Sequence, residues 1–128
     1  MKTNFSHDTR LKVRRLGKLF ETTVWLVDGL YIRDHVSLDF VFGDNWRHSP
    51  RFVKPYDIWV DQVMTKRDMA GTILHEYIES IGMRFGLSYE EAHDKANAEE
   101  RKYRKLGRSP RSPLVEVQRS IQDMRWTG

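Results

Sequence analysis

Residues 73–100 of the chain read ILHEYIESIGMRFGLSYEEAHDKANAEE. This stretch predicts two helices joined by a tight reversal, because apolar residues recur at helical spacing before Gly86, a residue type that commonly ends helices. Thr65 and Ser88 each begin a capping-box pattern, so they are the predicted N-caps of the two helices. With the second helix ending near Leu106, the short connection predicts an antiparallel helical hairpin.

Two histidines and two glutamates of this hairpin are predicted to face each other. His75 and Glu79 lie one turn apart on the first helix. His93 and Glu100 lie on the one face of the second helix that charged residues do not dominate. Across an antiparallel reversal, Glu79 falls level with His93, and His75 falls one turn from Glu100. Imidazole and carboxylate groups that converge between helices are a donor set that suits Zn²⁺, although other divalent metals also accept such ligands.

The motif H-E-Y-I-E, which begins at His75, differs by one residue from the H-E-x-x-H motif of metallopeptidase helices. In this interpretation His75 and Glu79 are metal ligands and His93 is the third. Glu76 would be the general base, taking a proton from a water molecule that the metal activates. Glu100 would be either a fourth ligand or the acceptor that orients a ligating histidine. The alternative is that the motif is merely the solvent-exposed face of an amphipathic helix.

The segment before the hairpin is predicted to form a small, mostly antiparallel sheet. Glu21–Val27 is rich in β-branched and aromatic residues, and Asp28-Gly29 is a hairpin signal, so Leu30–Arg33 is the predicted return strand. Val36–Phe42 alternates apolar and polar residues, and Tyr56–Asp61 gives a last strand. A sheet followed by a helical hairpin and a C-terminal helix predicts the α+β class.

The connecting segments carry less information. Gly43–Asn45 is predicted as a turn, and residues 46–55 as an irregular loop long enough to overhang a site. Leu11–Phe20 predicts either a strand or a short helix. His35 and His48 are isolated histidines in loop or strand-edge positions, and we predict that they lie outside the ligand set.

The chain is predicted to divide into three segments. Residues 1–20 form a basic N-terminal segment, and residues 21–106 form the metal-binding domain. Residues 107–128 begin with the linker GRSPRSP and continue as an amphipathic helix, for which Ser112 is the predicted N-cap and Pro113 the first helical residue. We expect that helix to pack back on the domain, with a partner contact or a dimer contact as the alternative.

Charge is distributed unevenly along the 128 residues. Residues 1–20 carry six basic side chains and one acidic, a net +5, and residues 101–128 carry eight basic and two acidic, a net +6. Since the whole chain is +4, residues 21–100 are at −7. An acidic middle suits a cation site, and basic ends suit contact with nucleic acid or an acidic protein. The alternative is that the basic ends only promote solubility.

The composition excludes several classes of protein. There is no cysteine, so neither a disulfide nor a thiolate ligand can form, and any metal must use histidine and carboxylate. No apolar run approaches the length of a membrane-spanning helix. The first ten residues lack the apolar core of a signal peptide. We therefore expect a cytoplasmic protein with no membrane contact.

The ordered motifs resemble those of short zincin-like metallopeptidases encoded in phage and prophage genomes. They are V-D-G-x-Y-I-R at Val27–Arg33, L-D-F-x-F-G at Leu38–Gly43, D-I-W-V-D at Asp57–Asp61, L-H-E-x-x-E at Leu74–Glu79 and Y-x-x-A-H-x-x-A-x-x-x-E at Tyr89–Glu100, within residues 23–104. The resemblance implies a minimal zincin-like domain that hydrolyses a peptide or protein substrate, with an edge strand that can hold extended peptide. Glu79 departs from H-E-x-x-H. A second anionic ligand would lower the Lewis acidity of the metal, which bears on peptidase activity more than on metal binding.

Two other functions are compatible with the same sequence. A non-catalytic phage accessory protein would use the cluster as a structural metal site, with four protein ligands and no open position, or as a buried His/Glu network. A nucleic-acid-binding module would use the basic ends, and its affinity would depend on salt but survive chelation.

Overall fold

The computed structural model describes residues 11–124; residues 1–10 and 125–128 lie outside the described part. The elements are β1 (Lys12–Leu19), β2 (Thr22–Val27), α1 (Gly29–His35), β3 (Gly43–Asn45), β4 (Asp57–Asp61), α2 (Lys66–Arg84), α3 (Tyr89–Lys105) and α4 (Pro113–Gln122). A small sheet is thus followed by a helical hairpin and a last helix, which confirms the predicted α+β class. Among residues 11–124, no helix has the length and apolar character needed to cross a membrane.

The four strands form one mixed sheet in the order β1-β2-β4-β3. The outer pairings, β1 with β2 and β3 with β4, are antiparallel, and the central pairing of β2 with β4 is parallel. All five residues of β4 are buried, because α2 covers one face of the sheet and an apolar cluster around Phe40 and Val53 covers the other. The strand order leaves β1 and β3 at the two edges of the sheet, and β3 also contacts α2.

The hairpin predicted at Asp28-Gly29 is wrong, because this dipeptide begins a helix. The carboxylate of Asp28 accepts a hydrogen bond from the backbone N–H of Tyr31 (3.0 Å) and so caps α1. Gly29 is needed for a close approach, since a Cβ there would lie 1.9 Å from Oδ2 of Asp61. Leu30–Arg33, predicted as the return strand, lies inside α1. The helix belongs to the crossover that the parallel pairing of β2 and β4 requires.

The strand predicted at Val36–Phe42 is also wrong. This segment is irregular; it buries Phe40 (2% exposed) and leaves Val41 exposed. Strand pairing begins instead at Gly43–Asn45, where a turn was predicted. Of the alternating apolar residues that predicted a half-buried strand, Phe40 is buried, while Leu38 and Phe42 are exposed.

The predicted helical hairpin is confirmed in α2 and α3. Thr65 and Ser88 are the N-caps, and Ser88 belongs to a complete capping box. Gly86 adopts a positive φ of 103° at the reversal, a conformation that favours glycine. The helices approach closely at Gly82, where an added Cβ would lie 3.0 Å from the Cβ of Ala92. The close approach brings the polar side chains of the two helices into contact.

The central part of α2 is buried on every side. All residues from Met69 to Ser80 are buried, including His75 (9% exposed), Glu76 (8%) and Glu79 (3%). The alternative that this motif is the solvent-exposed face of an amphipathic helix is therefore wrong. Buried charged groups of this kind need partners, and the partners come from β3 and α3.

The last helix packs back on the domain, as expected. Ser112 is the N-cap of α4 and Pro113 its first residue. Val117 and Ile121 belong to the same apolar cluster as the core face of α2. β1 pairs with β2 in the sheet, and α4 also contacts β1. The division of the chain into three segments stays a prediction.

We expect Ile121→Ala to lower the free energy of unfolding by about 2–5 kcal/mol, because a buried side chain loses its packing and leaves a cavity. Val115→Ala on the exposed side of the same helix (54% exposed) is the matched control, with an expected change within about 0.5 kcal/mol. Chemical denaturation measures both. A change in the free energy of unfolding that is as small for Ile121→Ala as for Val115→Ala would show that α4 contributes little to the core.

Candidate metal centre

His75, Glu79 and His93 bring one ligand atom each into a single group. Nε2 of His75 lies 3.2 Å from Oε2 of Glu79, and Nδ1 of His93 lies 2.6 Å from the same oxygen. The three ligand atoms all lie within 4.8 Å of one another. The three residues that the sequence predicted as ligands can therefore hold a metal ion.

Glu100 lies behind His75, outside the group of ligand atoms. Its Oε1 is 3.0 Å from Nδ1 of His75, so a donating Nδ1–H leaves Nε2 free to face Glu79. Its Oε2 accepts from Nε of Arg104 (2.7 Å), and Arg104 also donates to Asp68 (2.8 Å). A carboxylate behind a ligating histidine fixes the orientation of the ring. Of the two roles that the sequence left open, the geometry favours the orienting role.

Arg104 is a site residue that sequence reasoning missed. It spans α3 and α2 by pairing with Glu100 and Asp68, and it lies against Gly71, where an added Cβ would come within 2.9 Å of its guanidinium carbon. The available signal was the spacing of Glu100 and Arg104, four residues apart on one helix. That spacing usually marks an exposed pair, so it did not indicate a site.

Asn45 is the second residue that the sequence did not indicate, and it ties β3 to the site. Its fully buried side chain donates from Nδ2 to Oε1 of Glu76 (2.8 Å) and to Oε1 of Glu79 (3.1 Å). Its Oδ1 accepts from the backbone N–H groups of Arg47 and His48. One amide thus holds both carboxylates of the motif and the start of the following loop.

Glu76 is buried beside the ligand group. Burial, together with the charge of Glu79, raises the pKa of Glu76 to about 8, so in the metal-free protein this carboxyl group is mostly protonated at neutral pH. A cation nearby acts in the opposite direction and favours the ionised carboxylate. A strongly shifted carboxyl group in a cleft is characteristic of functional sites.

The charges of the ligand cluster are strongly coupled. Burial would lower the pKa of His75, but hydrogen bonds to Glu100 and Glu79 and the charge of Glu76 raise that pKa to about 10. Burial would raise the pKa values of Glu79 and Glu100, but hydrogen bonds to His75 and to their other partners lower both. The metal-free cluster thus holds an imidazolium between carboxylates, and a metal ion would take the place of its proton.

Two clefts meet at this cluster, because His75, Glu76 and Val41 line both. The larger has a volume of about 570 Å³ and is partly apolar, with Phe42, Val63 and Met64 in its wall. The smaller has a volume of about 260 Å³ and a polar wall that includes Asp39, Asp44, Glu79, His48, Tyr89 and His93. The cluster can therefore be reached from two sides.

The remaining histidines of residues 11–124 lie outside the ligand group, as predicted. His35 lies on α1 with its ring 4.4 Å from that of Tyr31. His48 lies on the loop after β3 and lines the smaller cleft.

If Glu100 orients His75, Glu100→Gln should weaken metal binding by about 10- to 100-fold without abolishing it. Glutamine can still accept from Nδ1 of His75 but cannot supply the charge. Glu99→Gln is the matched control, because Glu99 pairs with Lys102, lies outside the ligand group and should leave the affinity unchanged. Metal titration by competition with a chromophoric chelator measures both. Complete loss of stoichiometric binding in Glu100→Gln would instead identify Glu100 as a ligand.

Comparison with protein-family models, with curated proteins and with solved structures found no match. The resemblance to zincin-like metallopeptidases therefore stays a prediction from the ordered motifs. The features of the structure that bear on function are the group formed by His75, Glu79 and His93 and the cleft beside it.

Proposed function

We propose that this protein is a metal-dependent hydrolase of peptide or amide bonds that holds one divalent ion, Zn²⁺, at His75, Glu79 and His93. The observation that carries the proposal is the convergence of three ligand atoms within 4.8 Å of one another beside an open cleft. Catalytic zinc sites combine three protein ligands with an open position, and two histidines with one glutamate are such a set.

The residues present fit a metal ion in chemistry and in support. Two imidazole nitrogens and one carboxylate oxygen suit Zn²⁺. Glu100 orients His75, and Asn45 holds the second oxygen of Glu79. Glu100 contacts His75 and lies outside the ligand group, so Glu79 is the one carboxylate in that group. The loss of Lewis acidity expected from a second anionic ligand is therefore avoided. When bound, the ion would polarise a carbonyl group and lower the pKa of water.

Glu76 is the residue positioned to move the proton. It follows His75 directly on α2, lines both clefts and is held by the amide of Asn45. As water adds to the carbonyl carbon, the carboxylate of Glu76 would accept the proton that water loses. As the C–N bond breaks, that proton would pass to the leaving nitrogen, and Glu76 would be ionised again.

A buried His/Glu network without catalysis is the second candidate, because a specific observation favours it. Glu79 already links His75 and His93 by hydrogen bonds, so the cluster has internal partners even without an ion. The open cleft and the raised pKa of Glu76 favour the hydrolase. Nucleic-acid binding by the basic ends stays a prediction, and part of it concerns residues 1–10 and 125–128, outside the described residues.

Cleavage of a mixed peptide library by metal-loaded protein, read by mass spectrometry, tests the proposal. We expect cleavage that a chelator abolishes and that added Zn²⁺ restores. Stoichiometric metal without chelator-sensitive cleavage of any peptide or amide would favour the structural site. Salt-dependent binding of DNA or RNA that survives chelation would favour the nucleic-acid alternative.

Metal binding should release protons, because a pKa of about 10 leaves His75 protonated at neutral pH and Nε2 must lose its proton to become a ligand. Apparent affinity should therefore rise with pH by about tenfold per pH unit for each proton displaced, and this gain should end above the pKa of His75. Calorimetric titrations in two buffers of different ionisation enthalpy measure the released protons. A pH-independent affinity would show that His75 does not change protonation on binding.

A further inference from the structure

His48 is held at the wall of the smaller cleft by the same residue that holds the two carboxylates of α2. Its backbone N–H donates to Oδ1 of Asn45 (3.0 Å), while Nδ2 of Asn45 donates to Glu76 and Glu79. The start of the loop after β3 is therefore fixed relative to the candidate metal centre. This contact fixes the backbone position of His48 and does not involve its ring.

The ring of His48 is oriented by Asp44. Oδ1 of Asp44 lies 3.0 Å from Nδ1 of His48, and Asp44 also accepts from the backbone N–H of Asn45 (2.8 Å) and from Oγ of Ser49 (2.6 Å). A carboxylate can only accept, so the hydrogen between the two residues belongs to Nδ1. In the neutral ring, Nε2 then carries the lone pair and is a hydrogen-bond acceptor.

The ring of His48 is held against Tyr89 at the wall of the smaller cleft. The ring of His48 stacks on Tyr89 with centroids 4.6 Å apart, and Tyr89 stacks on the ligand residue His93 at 5.2 Å. The side chain of His48 is 44% exposed. Within residues 11–124, Nε2 of His48 makes no hydrogen bond, and the residue lines the same cleft as Glu76. Nε2 of His48 is therefore an acceptor that a donor on a bound molecule can use.

We propose that His48 is a substrate-contacting residue whose Nε2 accepts a hydrogen bond from the N–H of the scissile amide. The site would then select secondary amides over esters and over tertiary amides such as those that precede proline. This inference rests on the proposed hydrolase function.

The chemistry of the cleft supports an N–H donor in the ligand. His48 and the nearby carboxylates of Asp44, Glu76 and Glu79 offer acceptors, and an amide N–H satisfies one of them beside the carbonyl group that reacts. A ligand without that hydrogen leaves the acceptor of His48 unpaired once water is displaced. Sites built to hydrogen-bond a substrate N–H reject analogues that lack it.

A pair of small ligands isolates this hydrogen bond. Acetohydroxamic acid and N-methylacetohydroxamic acid both chelate a metal through two oxygens, but only the first has an N–H. Their dissociation constants would be measured on Co²⁺-loaded protein by visible absorbance. The ratio of the two constants in wild type is compared with the ratio in His48→Ala and in His48→Phe, which keeps a ring against Tyr89. His35→Ala is the matched control, since the ring of His35 also contacts a tyrosine but lies on α1.

We expect the preference for acetohydroxamic acid, measured as the ratio of the two dissociation constants, to be about tenfold greater in wild type and His35→Ala than in the two His48 variants. A difference of about tenfold corresponds to the contribution of one hydrogen bond. An unchanged ratio in both His48 variants overturns the inference, as does an equal loss of affinity for both ligands, which indicates a merely structural role. If metal-loaded wild type binds neither hydroxamate, the open coordination position is absent, and the hydrolase proposal fails together with the inference.

Discussion

Replacing either His75 or His93 with alanine should abolish stoichiometric binding of Zn²⁺. Each residue supplies one of the three atoms of the ligand group, and neither has a substitute ligand within that group. Removing one leaves two protein ligands, fewer than the three of catalytic zinc sites. Metal content after dialysis, measured by elemental analysis against protein concentration, gives the stoichiometry directly.

His35→Ala is the control for these two variants, because it removes an imidazole from α1, away from the ligand group. It should bind metal as wild type does. Retention of stoichiometric metal by both His75→Ala and His93→Ala would show that the ion, if there is one, is held elsewhere.

Glu76→Gln should retain near-normal metal content and lose at least about 10²-fold of any hydrolytic activity, the contribution expected of a general base. Glutamine has the same size, and its carbonyl oxygen can still accept from Asn45. It cannot accept the proton that water must lose. The rate of cleavage of a peptide found in the library experiment, measured together with bound metal, separates the two effects.

Asp39→Asn is the matched control for Glu76→Gln, because Asp39 lines the smaller cleft as an exposed carboxylate. We expect a small effect on turnover from this substitution. Equal cleavage by wild type and Glu76→Gln would remove Glu76 from the mechanism. A large fall in metal content of Glu76→Gln would instead make Glu76 part of the metal-holding group.

The hairpin could be predicted from the sequence because its determinants are local. Caps at Thr65 and Ser88, the reversal at Gly86 and the period of the helix fix which residues face each other. A short reversal also fixes the register, so the contact of Glu79 with His93 followed from spacing alone. The ligand group is therefore the part of the site that sequence reasoning reached.

The crossover before β3 could not be predicted from local signals. Asp28-Gly29 serves equally as a tight turn between strands and as a cap followed by a helix. The choice depends on Asp61, the last residue of β4, which lies against Gly29 although it is 32 residues further along the chain. Tertiary packing of this kind overrides a local preference, and the predicted return strand became α1.

The supporting residues of the site were missed for the same reason. Asn45 contacts Glu76 and Glu79 across 31 and 34 residues of sequence, and Arg104 reaches Asp68 across 36. A periodicity argument compares neighbours on one element, so it does not detect such contacts. The segment Gly-Asp-Asn predicts a turn, because these residue types favour turns. In the structure, however, the side chain of Asn45 donates hydrogen bonds to both carboxylates of the site.

The metal content of protein purified without added metal tests the central claim most directly. We predict one divalent ion per chain by elemental analysis, with Zn²⁺ the expected metal, and its loss from His93→Ala purified in parallel. Absence of any stoichiometric ion, both as purified and after Zn²⁺ addition followed by dialysis, would contradict the claim. In that case His75, Glu79 and His93 would form only a buried hydrogen-bond network.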